Sequence, residues 1–225
     1  MKVLTFSFDD CEIHDRRLCD LLRQYGIKAT FYLLSGLLGQ RVPYHRYGVD
    51  TVVERVTAEE IPSTYAGMEV ANHTLYHRIE DTTFPADTRR SREILSKACG
   101  YEIKGFAYPG GHFTARQLSL LKATGLLYAR GATHSHNFLL PEDWYIWQPT
   151  SHYADPELPQ LIQTFLALPG DEDALFHIYG HSYELTEQNS NRDWQYLEQL
   201  LQQLAGREDI VYATNLEAFR LLSQQ

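Results

Sequence analysis

Short apolar runs alternate with amphipathic stretches along most of this 225-residue chain. Residues 3–8 form an apolar run that predicts a buried strand, and residues 14–25 carry leucines at helical spacing up to Gly26. A second apolar run, residues 29–34, predicts another strand. A strand, a helix and a strand within about 30 residues are typical of a βαβ unit with parallel strands. The chain therefore begins as a parallel α/β protein.

The same alternation continues to the C-terminus. Further strands are predicted over residues 68–71, 104–107, 126–130, 145–149, 174–179 and 210–213. Helices are predicted over residues 87–98, 114–124, 157–168, 193–204 and 216–222, and a short helix after Thr57 with Glu60 as its capping-box partner. Residues 35–56 are punctuated by glycine and predict a long, irregular functional loop. Seven or eight strands that alternate with helices predict one α/β domain over residues 1–225, a distorted (β/α) barrel.

The composition narrows the class of protein. The net charge is -9 and basic residues never cluster in long runs, which argues against nucleic acid or an anionic membrane as partner. Three cysteines at unrelated spacings fit reduced thiols. The chain enters its first strand without room for a signal peptide, and no run approaches the roughly 18 apolar residues of a membrane span. We therefore expect a cytoplasmic protein, whose oligomeric state the composition does not determine.

Two adjacent acids, Asp9 and Asp10, end the first predicted strand. Neighbouring carboxylates repel each other, so one of them needs a cation, a proton or an arginine, although acid pairs also cap helices that follow strands. His73 and His77 stand four residues apart, a spacing that presents both imidazoles on one side if the segment is helical. Two histidines and a carboxylate commonly hold a catalytic divalent ion and leave one position open for water.

These residues carry a resemblance to a known family. The segments 7–10 and 73–77, the turn around Pro109 and the late His181 resemble, in order, the motifs of the polysaccharide deacetylases, the NodB homology domains of carbohydrate esterase family 4. The resemblance covers most of the chain, and residues 180–184 are similar to the corresponding motif of a small leaderless subgroup. It implies a NodB-like barrel and a metal-dependent hydrolase that removes N-acetyl groups from an amino sugar or oligosaccharide.

The resemblance also implies a role for each motif residue. Asp10, His73 and His77 would bind the metal, usually zinc and sometimes cobalt or nickel. Asp9 would be the general base that takes a proton from water.

The general acid and the oxyanion donor follow from the later motifs. The resemblance makes His181 the acid that protonates the leaving amine, and the backbone N–H of Gly110 a donor to the oxyanion. His177 is the competing histidine, but it would lie mid-strand, about 13 Å before His181 at roughly 3.3 Å per residue. His181 is level with the aspartates at the strand end, so we assign the acid to it.

The third motif departs from the family pattern. The family has Arg-x-Pro-aromatic-Gly where this chain has Ala107-Tyr108-Pro109-Gly110-Gly111, so both the arginine that pairs with the base and the aromatic of the sugar groove are missing. We hypothesise that Arg130, at the end of the next strand, supplies the missing cation. Tyr108 and Pro109 are candidate substrate-binding residues.

A further segment, Asp143-Trp144, faintly resembles the family's fourth motif. It makes Trp144 a candidate substrate contact, with a place in the core as the alternative. Cys11 could be a weak extra ligand but more commonly such a thiol fills space. The other loop histidines, His112, His134, His136 and His152, share no spacing with the motifs and are interpreted as surface residues or supports of the site.

Two other functions remain open from the sequence. One is hydrolysis of another C–N bond, such as the cyclic amides opened by allantoinase-like relatives of the same fold. The other is a catalytically silent domain that binds sugar, which the missing arginine favours and the retained motif residues oppose.

Overall fold

The fold is a curled, mostly parallel sheet surrounded by helices, described in a computed structural model for residues 1–46, 48–186 and 193–224. Its strands are Lys2–Asp9 (β1), Ala29–Leu33 (β2), Arg41–Arg46 (β3), Val49–Glu54 (β4), Glu69–Asn72 (β5), Gly105–Ala107 (β6), Tyr128–Arg130 (β7), Ser151–His152 (β8), Ala174–His181 (β9) and Ile210–Tyr212 (β10). Its helices are Asp15–Gln24 (α1), Ile61–Thr64 (α2), Phe84–Cys99 (α3), Ala115–Lys122 (α4), Leu158–Ala167 (α5), Trp194–Leu204 (α6) and Asn215–Leu222 (α7).

Strand β1 is the centre of the main sheet, whose order is β7-β6-β5-β2-β1-β9-β8. It pairs with β9 along its whole length, while β10 and β2 share its other side. All these pairings are parallel, which brings the C-terminal ends of the strands to one edge. The predicted α/β fold and distorted barrel are therefore confirmed.

The two faces of β1 have different chemistry because successive side chains alternate across a strand. Phe6 and Phe8 belong to the large apolar cluster formed with the surrounding helices. On the inner face, Thr5 donates to the amide oxygen of Asn215 at 2.6 Å, and Ser7 hydrogen-bonds His177 at 2.8 Å. Asn215 opens α7, so this helix covers the N-terminal end of the barrel and leaves the opposite end for the site.

The barrel has a seam between β7 and β8. Residues 145–149 cross this seam, where the prediction of a strand is wrong: this described stretch makes only an isolated bridge between Trp147 and Arg130. Asp143 draws the chain into a turn just before, because its side chain accepts from the N–H of Tyr145 and its carbonyl from that of Ile146. The segment therefore spans the seam without forming a continuous ladder.

The prediction of an irregular loop over residues 35–56 is also wrong. Strands β3 and β4 form an antiparallel hairpin there, separate from the main sheet. Residues 49–54 contain three valines and a threonine, a composition that favours extended structure, and Gly48 adopts a left-handed φ of 80° at the turn. The N–H of Val56 donates to the carbonyl of Cys11 at 3.0 Å, which anchors the hairpin beside the end of β1.

Other predicted boundaries shift by a few residues. The N–H of Thr57 donates to the side chain of Glu60 at 2.9 Å, half of the predicted capping box, but α2 begins only at Ile61. Among the described residues, no helix has the length and apolar character needed to cross a membrane.

Candidate active site

The two acids leave β1 in different directions. Asp9 is its last residue, whereas Asp10 and Cys11 have left-handed φ values of 79° and 51°. This conformation is uncommon for residues other than glycine and clusters at functional sites. It reverses the backbone, so Asp9 remains only 5% exposed while Asp10 turns toward the histidines. Cys11 is fully buried, and burial raises the pKa of its thiol, as expected of a residue that fills space.

The histidine pair follows β5 in a turn and not in a helix. Thr74 and His77 adopt left-handed φ values of 72° and 58°, and the amide oxygen of Asn72 accepts from the N–H of Thr74 at 2.8 Å. The tight turn still brings the imidazoles of His73 and His77 together, with ring centroids 4.9 Å apart.

The three predicted metal ligands converge. The Nε2 atoms of His73 and His77 lie 3.8 and 4.0 Å from Oδ1 of Asp10. His73 Nδ1 lies 2.8 Å from the carbonyl of Ala107, a donation that leaves Nε2 with its lone pair toward the acid, and burial lowers the pKa of His73. Oδ1 of Asp10 is buried with no hydrogen-bond partner among the described residues. These donors are too far apart for hydrogen bonds, which fits a divalent cation between them.

Arg130 lies beside Asp9. Its guanidinium forms an ion pair with Oδ1 of Asp9, and both side chains are almost completely buried. The rings of Tyr32 and Tyr179 lie 4.8 and 5.1 Å from the guanidinium carbon. Burial opposes ionisation of Asp9, but Arg130 and then His73 hold the pKa of Asp9 below its ordinary value. The contact hypothesised from the sequence is present, and it keeps Asp9 charged.

His181 lies opposite Asp9 in the pairing of β1 with β9. Its Nδ1 lies 3.2 Å from Oε1 of Glu184, and Glu184 also contacts Nε2 of His152 at 3.0 Å. Burial of the ring opposes protonation, but the hydrogen bond and charge of Glu184 outweigh it and raise the pKa of His181 to about 9. Sequence reasoning missed Glu184, although it lies three residues after the histidine.

His177 occupies the barrel interior. It is fully buried, hydrogen-bonds Ser7 and packs against Trp147 with ring centroids 4.6 Å apart. Burial and the nearby Arg130 lower the pKa of His177 well below its ordinary value. A neutral ring in this position has a packing role, which favours His181 as the acid.

The third-motif turn lies on the surface. Residues Pro109–Gly111 form a single 3-10 turn, in which Gly110 is exposed with a left-handed φ of 69°. Pro109 is half-buried at its start. The position of Gly110 is open to a substrate, as its predicted role requires.

Two predicted substrate contacts are placed elsewhere by the structure. Tyr108 is 1% exposed, and its ring stacks on Phe113 at 4.3 Å between centroids. Strand parity explains this, because Ala107 faces inward and Tyr108 faces the helices. Trp144 packs against Phe219 of α7, at the covered end of the barrel. This packing favours the core alternative for Trp144 and a packing role for Tyr108, and a substrate contact by either side chain stays a prediction.

A second histidine cluster was missed by the sequence interpretation. His134 Nδ1 and His136 Nε2 lie 2.7 and 2.8 Å from the same oxygen of Asp155, Oδ2. Burial opposes ionisation of Asp155, but the N–H of Glu157 and the two histidines lower the pKa of Asp155 to about 2. The His-x-His spacing was visible in the sequence, but nothing there connected it with an acid 19 residues later.

Comparisons with known proteins agree with this geometry. The family model described as "Polysaccharide deacetylase" matches residues 1–129. A peptidoglycan-N-acetylglucosamine deacetylase of Bacillus cereus is 28% identical over 150 residues, which cover 64% of this chain and 61% of that relative. The chain therefore spans less than two thirds of the length of this curated relative.

Solved structures show the same fold. A polysaccharide deacetylase homologue from Mycobacterium smegmatis superposes with a TM-score of 0.67 at 14% identity, over 99% of this chain and 90% of that one. A family 4 acetyl xylan esterase from Clostridium thermocellum in complex with a cobalt ion superposes with a TM-score of 0.58 at 17% identity, over 98% and 91% of the two chains.

Proposed function

The chain belongs to the polysaccharide deacetylase family, and on that basis we propose that it is a metal-dependent hydrolase that removes N-acetyl groups from an amino sugar or oligosaccharide. The observation that carries the proposal is the buried Oδ1 of Asp10, which faces two imidazole nitrogens at 3.8 and 4.0 Å. Zinc, cobalt and nickel all accept such donors. The cobalt ion of the C. thermocellum esterase supports a divalent metal here.

Asp10, His73 and His77 would hold the cation. When bound, such an ion lowers the pKa of water toward about 7 and polarises a carbonyl. The three residues come from the end of β1 and the turn after β5, and the buried His73 is oriented by its hydrogen bond to Ala107.

Asp9 acts as the general base in this proposal. Its Oδ1 is held by Arg130, while Oδ2 lies 3.8 Å from Nε2 of His73, beside the metal ligands. The ion pair with Arg130 keeps Asp9 ionised, so the second oxygen can accept a proton from the attacking water. Arg130 thus performs from β7 the task of the third-motif arginine, in whose position this chain has Ala107.

His181 acts as the general acid. Donation from Nδ1 to Glu184 leaves Nε2 as the nitrogen that gives a proton to the departing amine. Because the amine is a poor leaving group until it is protonated, a histidine held charged by Glu184 suits the role. The backbone N–H of Gly110, an exposed residue, would donate to the oxyanion that forms on the acetyl carbonyl.

The proposed substrate class is supported by the family and by the B. cereus relative, whose name specifies N-acetylglucosamine in peptidoglycan. We propose a small N-acetylated sugar or oligosaccharide as substrate. The residue directly after Pro109 is glycine and not the aromatic that lines a groove for a long glycan. A cytoplasmic location is part of the proposal and is supported by the three cysteines, none of which forms a disulfide.

Acetate release from N-acetylglucosamine oligomers tests the proposal. We expect turnover that disappears with a chelator, returns with Zn²⁺ or Co²⁺, and is absent from His73→Ala. His45→Ala is the matched control, because His45 is an exposed imidazole on the hairpin that bonds only Asp50 among the described contacts. Activity that persists in metal-free protein contradicts the proposal. Ring opening of an added cyclic amide, with no acetate release from the oligomers, indicates the allantoinase-like alternative, and sugar binding without turnover indicates a silent domain.

A further inference from the structure

The second histidine cluster has an unusual arrangement of acceptors. Oδ2 of Asp155 faces His134 Nδ1 and His136 Nε2 at 2.7 and 2.8 Å, while its other oxygen accepts from the N–H of Glu157 at 2.9 Å. Asp155 is nearly buried, and the two imidazoles are about one-third exposed. Two rings from one loop therefore aim their nitrogens at a single fixed oxygen.

The far nitrogen of His134 also faces an oxygen. Its Nε2 lies 3.4 Å from the hydroxyl of Tyr179, and that hydroxyl donates its proton to the carbonyl of Ala132 at the shorter distance of 3.1 Å. The hydroxyl thus offers a lone pair to Nε2. The tautomer with hydrogen on Nε2 turns the lone pair of Nδ1 toward the carboxylate of Asp155, as a metal ligand requires.

His136 has the same arrangement. Its Nε2 faces Asp155, and its Nδ1 lies 3.7 Å from Oε2 of Glu157. Each imidazole therefore lies between two oxygen atoms, one of which is Oδ2 of Asp155. The ring centroids lie 5.5 Å apart, and the two facing nitrogens and Oδ2 of Asp155 converge on one point. A divalent ion at that point would replace the hydrogens on the facing nitrogens and bind all three side chains.

We propose that His134, His136 and Asp155 form a second divalent-cation site, separate from the catalytic one. Two imidazoles and one carboxylate select a metal of the zinc or cobalt type over calcium or magnesium. Ligands at about 2.1 Å from an ion are about 3.0–3.4 Å apart, so the present contacts need to open by only about half an ångström. The hydroxyl of Tyr179 orients the ring of His134, as partners of metal-bound histidines do, and Glu157 lies 3.7 Å from the far nitrogen of His136.

The position of the site indicates its purpose. His134 and His136 belong to the loop that leaves β7, and Asp155 follows β8, so an ion there joins the two sides of the barrel seam. The ring of Tyr179 also contacts the guanidinium of Arg130, the partner of Asp9. The second site therefore fastens the seam next to the residues that hold the base, without taking part in the reaction.

Zinc titration of metal-free protein, by calorimetry and by metal analysis after dialysis, tests this inference. We expect two equivalents in the wild type and in the His45→Ala control. We expect one equivalent in His134→Ala/His136→Ala, and one in His73→Ala/His77→Ala. The absorption bands of Co²⁺ provide an independent count, since each site adds its own spectrum.

The outcomes separate this inference from the proposed function. If His134→Ala/His136→Ala binds as much zinc as the control, the second site is refuted. If His134→Ala/His136→Ala binds less zinc than the wild type but His73→Ala/His77→Ala binds as much, the second site stands and the proposed catalytic metal site does not. Circular dichroism checks folding, and Asp155→Asn, which keeps the shape of the side chain, replaces the double variant if that unfolds.

Discussion

Two clusters in this protein have the same donors, two imidazoles and one aspartate, but different spacing. In the cluster of Asp10, His73 and His77, the nitrogens lie 3.8 and 4.0 Å from the carboxylate oxygen. In the cluster of Asp155, they lie 2.7 and 2.8 Å away. Hydrogen bonds can span the nitrogen–oxygen distances in the cluster of Asp155, but not those in the cluster of Asp10. We therefore expect the first site to bind metal more tightly, because in the second the ion competes with protons for the same nitrogens.

The two clusters also differ in their supports. Asp10 follows the central strand directly, and His73 is 2% exposed with its ring held by Ala107. His134 and His136 belong to a loop and are about one-third exposed. Catalysis requires ligands on rigid supports, whereas a cation that fastens a seam can itself supply the rigidity.

The largest expected effect is on turnover, which should fall far more when a ligand of the Asp10 cluster is removed than when one of the Asp155 cluster is removed. His73→Ala removes a ligand of the catalytic cation, and we expect kcat/KM for acetate release to fall on the order of 1,000-fold. His136→Ala removes a ligand from the other cluster, and we expect a loss of no more than about tenfold. Comparable losses in the two variants would show that the clusters are not functionally distinct.

Arg130→Met tests the link between the two regions. It leaves Asp9 buried without its cation, so we expect the free energy of unfolding to fall by about 3–5 kcal/mol, with a loss of turnover. Urea denaturation of Arg130→Met, Asp9→Asn and the double variant measures the coupling. The double variant should lose less than the sum of the single variants. Additive losses, or unchanged turnover in Arg130→Met, would contradict the assignment.

Glu184→Gln tests the acid through its pH dependence. His181 must be protonated to act, so wild-type turnover should fall as pH rises through about 9. Glutamine lacks the charge that raises this pKa, and we expect the alkaline limb to move down by about one pH unit or more. The stabilisation from charged His181 is fully present below its unfolded pKa of about 6.5 and is lost as pH rises through the folded value.

The pH profile of His136→Ala is the matched comparison for Glu184→Gln. It should keep the wild-type alkaline limb, because His136 contacts Asp155 and not Glu184. An unshifted limb in Glu184→Gln would show that another group is the acid.

Trp144→Ala should have the smallest effect on catalysis. Trp144 packs on Phe219 and Trp147 at the covered end of the barrel, away from both clusters. We expect KM to stay within about twofold, and the free energy of unfolding to fall by about 2–3 kcal/mol from lost packing. A large rise in KM with unchanged stability would instead restore its assignment as a substrate contact.

Much of the site was predictable because of one geometric rule. Acids and histidines that follow parallel strands meet at one edge, so Asp9, Asp10, His73 and His181 could be placed together before the structure was known. The metal set does not require a helical turn over residues 73–77. A left-handed turn brings the two imidazoles together instead, at a cost in backbone strain that the sequence does not display.

What the sequence by itself determined is the alternation of the main-sheet strands with helices and the edge on which the chemistry lies, because these depend on local periodicity; the β3–β4 hairpin and the path of residues 145–149 were not determined in this way. Only the tertiary structure decided which side chains meet across the barrel. The contact of Arg130 with Asp9 joins residues 121 positions apart, and Tyr108 faces the helices because of strand parity. His134, His136 and Asp155 converge because of the path of a loop across the seam. Such contacts depend on how distant segments pack, which no local pattern encodes.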